Sequence, residues 1–102
     1  MSKENIIETI DKLQDIVDLL YQQNDKEAFE KLDTTLVSVE DTIDIIVSYQ
    51  KENQEFAIDM NKIYSTLKQA MEALEAGDKV LVADIFQYEL IEYLNELSSA
   101  MQ

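Results

Sequence analysis

Residues 29–46, FEKLDTTLVSVEDTIDII, place Phe29, Leu32, Leu36, Val39, Ile43 and Ile46 at steps that alternate three and four. An α-helix turns once in 3.6 residues, so this spacing gathers the apolar side chains on one face and leaves the charged ones to the other. The pattern continues in both directions. Upstream, Ile6, Ile10, Leu13, Val17 and Leu20 form one stripe. Downstream, Phe56, Met60, Ile63, Leu67, Ala70 and Leu74 form another, and Ala83, Phe86, Leu90, Tyr93, Leu97 and Ala100 a fourth. With no proline and a single glycine, little in the chain interrupts such helices. Four one-sided helices of roughly 22 residues, each about 33 Å long, close on one another. The expectation is an all-α, antiparallel up-down-up-down four-helix bundle, with residues 1–102 as a single helical domain.

The breaks carry less signal than the helices. Asn24 with Glu27 three residues on has the form of a capping box. Gly77-Asp78 is the sharpest boundary, since glycine suits the left-handed position that ends a helix and aspartate caps the next. The middle boundary, SYQKENQE at 48–55, has neither glycine nor proline, and Tyr49, Asn53 and Phe56 carry the three-four spacing through it. The alternative is therefore one long central helix over 25–76, which favours an intertwined dimer.

Composition excludes much chemistry. The 102 residues hold 22 Asp and Glu against 8 Lys, for a net charge of −14, and contain no His and no Cys. That removes imidazole bases, cysteine nucleophiles and the usual zinc ligands. One glycine cannot build a phosphate-cradling loop, and the acidity opposes nucleic-acid binding. The N-terminal MSKENIIETI lacks the basic start and apolar run of a signal peptide, and no apolar run nears the roughly 20 residues of a membrane span. An acidic surface is also repelled by anionic lipid, so a cytoplasmic protein is expected.

Carboxylates three apart recur, as in Asp15/Asp18, Asp41/Asp44, Glu72/Glu75 and Glu89/Glu92. On a helix such pairs can hold a metal ion, as in di-iron bundles and some magnesium-dependent hydrolases. None falls centrally on a buried stripe, however, so these pairs read as solvated faces, with no cofactor and no catalytic residue. A metal-dependent hydrolase remains as an alternative only if two copies bring Glu89 and Glu92 together.

The last helix departs from the others. Its stripe is complete without Val80, Leu81, Ile85, Tyr88 and Ile91, yet Leu81, Ile85 and Tyr88 form a second stripe with Val80 and Ile91 beside it. Two explanations stand: part of the chain covers this patch, or it is an interface. Residues 80–102 contain Asp84, Glu89, Glu92 and Glu96 and no lysine, which puts an acidic rim around it. A homodimer comes first among interfaces, because symmetric dimers are the commonest assembly. A basic amphipathic helix from another protein is the other partner that fits, and the rim would steer it. The expected function is a non-catalytic protein-interaction module, with an acidic inhibitor that masks a basic protein as a further alternative.

Ala73–Leu90, ALEAGDKVLVADIFQYEL, resembles an element of small, uncharacterised acidic helical proteins of Gram-positive bacteria, some of which accompany motility genes. The match covers 18 of the 102 residues, with Gly77-Asp78 and the run into Tyr88-Glu89-Leu90 its most specific parts. The resemblance implies an accessory role in a bacterial cell and no known enzyme activity. The acidic all-helical chaperones of flagellar and type III export are similar in size, charge and helical content, without a shared motif.

Overall fold

A computed structural model describes residues 2–101. Helix α1 is Ser2–Tyr21, α2 is Asp25–Glu52 and α3 is Met60–Glu75. The last helix, α4, runs over 79–100 in three pieces: Lys79–Ile85, a π turn at Phe86–Ile91, and Glu92–Ala100. Its backbone stays right-handed helical at both joins. Among the described residues there is no strand. Thr9 pairs with Thr42, Lys12 with Ser38 and Asp15 with Lys31, so α1 and α2 run antiparallel. Gln14 pairs with Gln87 and Tyr21 with Asp84, which sets α4 antiparallel to α1. Asp59, just before α3, meets Tyr93 near the end of α4, so those two are antiparallel as well. The result is an up-down-up-down four-helix bundle. Its helices are unequal, however: α2 has 28 residues and α3 only 16. At 1.5 Å per residue α2 is about 42 Å long, and it sets the 41 Å long dimension of the molecule.

The long helix over 25–76 does not form. The chain leaves α2 at Asn53 and turns, with the Phe56 amide donating to the Asn53 carbonyl at 2.8 Å. Phe56 is buried, and its ring meets Tyr49 edge-on at 5.0 Å between centroids. Asp59 then caps α3, accepting from the Lys62 amide at 3.0 Å, while its own amide donates to the Tyr93 hydroxyl at 2.8 Å. A buried aromatic and a capping carboxylate make this break without glycine or proline.

The two hairpin turns share one geometry. After α3, the Asp78 amide bonds the Ala73 carbonyl and the Gly77 amide the Leu74 carbonyl, with Gly77 at φ +73°. After α1, Asn24 bonds Leu19 and Gln23 bonds Leu20 in the same way, and Gln23 takes φ +64°. Both are left-handed helix endings of the kind glycine favours. Asp78 caps α4 by accepting from the Leu81 amide at 3.1 Å. Asn24 precedes α2 but makes no side-chain cap, so the expected capping box is not realised. Lys79 reaches Asp25 at 2.7 Å and ties the two turns together at one end of the bundle.

Helix α1 lies against α2 on one side and α4 on the other, and α4 lies between α1 and α3. Backbones of α2 and α3 do not approach to the same degree, leaving the bundle open on that edge. The buried band of α2 runs through Ala28, Leu32, Thr35, Val39, Thr42, Ile43 and Ile46 and faces α1. It keeps Leu32, Val39, Ile43 and Ile46 of the expected stripe, while Ala28 and Thr35 are buried in place of Phe29 and Leu36. Small and β-branched side chains let the backbones approach, and Thr42 donates to the Thr9 hydroxyl at 2.7 Å in the interior. Thr9 in turn donates to the Ser38 carbonyl, so neither buried hydroxyl is orphaned. Phe29 accordingly lies beside the seam and is exposed.

On α4 the departures come from the π turn, while Leu36, Met60, Leu67 and Leu74 of the other expected stripes are half-buried. The π turn adds a residue to one turn, so every position beyond it is rotated back by roughly one residue. Leu94 and Met101 are buried where the uninterrupted spacing placed Tyr93 and Ala100. Tyr93 is half-buried, and Ala100 is exposed.

The two left-handed endings generate a paired expectation. Gly77→Ala should cost about 1 kcal/mol, although a Cβ there meets nothing within 4 Å, because the cost lies in the backbone conformation. Gln23→Gly should instead stabilise by about 0.5 kcal/mol. Urea unfolding of the two variants beside the parent would show opposite shifts of the midpoint.

Candidate interaction surface

The structure divides the five residues expected to form an apolar face on α4. Val80 is 58% exposed, Leu81 43% and Tyr88 61%. Ile85 and Ile91, at 5% and 3%, belong to the core and cannot meet a partner directly. Two causes act. Because α4 sits between α1 and α3, its second apolar stripe is taken into the core only in part, at Ile85, which lines the α3 side. Ile91 turns inward because the π turn shifts the buried position from Leu90 on to Ile91 as well. What remains outside is a smaller face: Val80 and Tyr88, eight residues and so about two turns apart, with Leu81 next to Val80.

Tyr21, at the end of α1, extends this face and was not legible in the sequence. It is 43% exposed, and its hydroxyl donates to the Asp84 carboxylate on α4. Only the antiparallel register of α1 and α4 brings the two together; no spacing along the chain signals it. The hydrogen bond to Asp84, aided by desolvation and by that carboxylate's charge, pushes the Tyr21 pKa up to about 12. The fold therefore holds this proton more tightly than the unfolded chain, whose tyrosines titrate near 10. The bond's stabilising contribution is complete below pH 10 and is lost as pH rises from there through about 12. In an alkaline titration followed by tyrosinate absorbance, a late-ionising component from Tyr21 should appear, and Asp84→Ala should remove it.

Beside the face lies a groove between α3 and α4, with a volume of about 390 Å³. Ala73 and Ala76 form one apolar wall, and Leu81 with the edge of Ile85 forms the other. Glu72, Asp78 and Glu89 stand around it. No lysine lines the groove, and Lys79, the nearest on α4, is engaged with Asp25. A larger hollow of about 450 Å³ at the start of α2 is lined by Gln23, Asn24, Asp25, Lys26, Glu27 and Glu30, without an apolar wall.

The paired carboxylates point outward. Asp15, Asp18, Asp41, Asp44, Glu72, Glu75, Glu89 and Glu92 are all exposed. Among the described residues, no three carboxylates converge closely enough to hold a metal ion. Among them also, no helix is long and apolar enough to cross a membrane.

The division of α4 into core and surface predicts a sharp contrast in stability. Ile91→Ala should cost about 2–5 kcal/mol, as deletions of buried aliphatic side chains do. Val80→Ser should change the unfolding free energy by less than about 0.5 kcal/mol. Equal losses in urea unfolding would mean that Val80 is part of the core after all.

The model of a family described as "Domain of unknown function (DUF8042)" matches residues 2–100, nearly the whole chain. No curated protein and no solved structure matches.

Proposed function

We propose that this chain, which belongs to the DUF8042 family, is a non-catalytic protein-interaction module working in the cytoplasm. The observation that carries the reading is the exposed apolar face of α4. Val80, Leu81 and Tyr88 stay in water although Ile85, Phe86, Leu90 and Ile91 of the same helix are buried. Apolar side chains exposed together on a rigid helix and rimmed by charge are the usual form of a protein-binding patch. Two further features support it. The face borders a groove with apolar walls, and Tyr88 lies on the π turn, an irregularity often found beside functional positions. Tyr88 and Tyr21 also bring large amphipathic side chains of the kind enriched at binding hot spots.

Under this reading the contact works by burial. Each large side chain fully covered contributes about 1.5–3 kcal/mol before the losses of association are subtracted. A photo-crosslinking residue at position 88, introduced in cells that produce the full chain, tests it. An adduct with a second polypeptide is expected from position 88 and from 80, and none from position 40, which is exposed on α2. Absence of any adduct from 80, 81 and 88 would overturn the reading.

A further inference from the structure

We infer that the groove between α3 and α4 receives a cationic amphipathic helix from another protein, rather than a second copy of this chain. The inference rests on the interaction reading above and names the class of partner. Three observations fix the chemistry. The accessible walls at Ala76 and Leu81 are apolar, with the buried Ala73 and Ile85 behind them, so the occupant must present an apolar stripe. Small side chains on the α3 wall leave room for larger ones from outside, the arrangement of a helix seated in a groove. Glu72, Asp78 and Glu89 surround those walls with no lysine among the lining residues, so the occupant's flanks must be basic.

Length agrees with this. From Asp78 to Glu89 the α4 edge extends about 17 Å, the length of three helical turns. An occupant of that size places its apolar side chains against Leu81 and Ala76 and leaves its cations beside the carboxylates. Charge opposes the other occupant. A symmetric contact uses the same patch on both copies, and here that sets the acidic rim of Glu72, Asp78 and Glu89 against the same acidic rim of the other copy. With a net charge of −14 on each chain, such a contact needs cations that neither copy supplies at this face.

The test uses the full chain and three designed 18-residue peptides. The first has a leucine stripe at helical spacing with lysines elsewhere. The second replaces each lysine by glutamate, and the third replaces each leucine by serine and keeps the lysines. Binding is followed by titration calorimetry at low and moderate salt, and molar mass by light scattering. The leucine–lysine peptide should bind one to one. Leu81→Glu should weaken it at least tenfold, and Glu72→Gln with Glu89→Gln should weaken it severalfold and flatten its salt dependence. Val37→Ser, at an exposed apolar position on α2, should leave it unchanged. Equal binding of the serine–lysine peptide would reduce the effect to general attraction by an acidic surface and overturn the inference. So would no loss on Leu81→Glu, or equal binding of the leucine–glutamate peptide. A dimer in solution that disperses on Leu81→Glu would overturn this inference while upholding the interaction reading. Failure of that reading shows separately, as the absence of adducts from the crosslinking positions.

Discussion

The placement of α4 between α1 and α3 is the constraint on which the rest of the molecule depends. A helix packed on two sides must be apolar over most of its circumference, and α4 is: Val82, Ala83, Ile85, Phe86, Leu90, Ile91, Leu94 and Leu97 are all buried. Helix α1, between α2 and α4, is built likewise, with Ile16 and Leu19 buried beside Leu13, Val17 and Leu20. The outer helices α2 and α3 each bury a narrower band. A second apolar stripe on a bundle helix is thus first a sign of a central position, and only its uncovered remainder is available for recognition. On α4 that remainder is Val80, Leu81 and Tyr88.

Polar contacts fix the register within this apolar frame. The Thr42–Thr9–Ser38 relay satisfies hydroxyls inside the α1–α2 seam, where an unpaired one would be costly. Gln14 bonds Gln87 at 2.8 Å, and Tyr21 bonds Asp84, so α4 is held against α1 at two levels. At the opposite end from the two hairpin turns, the Tyr93 hydroxyl receives the Asp59 amide and its ring lies 4.4 Å from the Lys62 ammonium. The Lys79–Asp25 and Lys31–Asp15 pairs are partly or largely exposed, and such pairs add little to stability; they select the arrangement more than they hold it.

Charge has a different task. Most of the 22 carboxylates lie on outer faces, where they keep a small apolar-rich chain dispersed in water. Around the α3–α4 groove they act beside apolar walls instead of alone. That combination of a desolvating floor and an unneutralised rim separates this groove from the polar hollow at the start of α2, although the latter is larger.

The amino-acid sequence by itself determined that the chain is helical, that four helices alternate in direction, and where the first and last turns fall. Leu13, Val17, Val39, Ile46, Ile63, Phe86 and Leu90 are core residues by spacing alone and are buried in the fold. Local physics suffices for these, because a 3.6-residue period and a glycine ending are properties of the nearby chain. Tertiary structure decided the rest. It broke the chain at 53–59 through the burial of Phe56, moved the α2 seam onto Thr35 and Thr42 because α1 approaches closely there, and gave Gln23 a glycine-like conformation. It also introduced the π turn that sends Ile91 inward, and took Ile85 into the core through contact with α3. Tyr21 joined the exposed face only through the α1–α4 register. Each of these depends on which neighbour a helix face meets, and a periodicity along one helix carries no information about that neighbour.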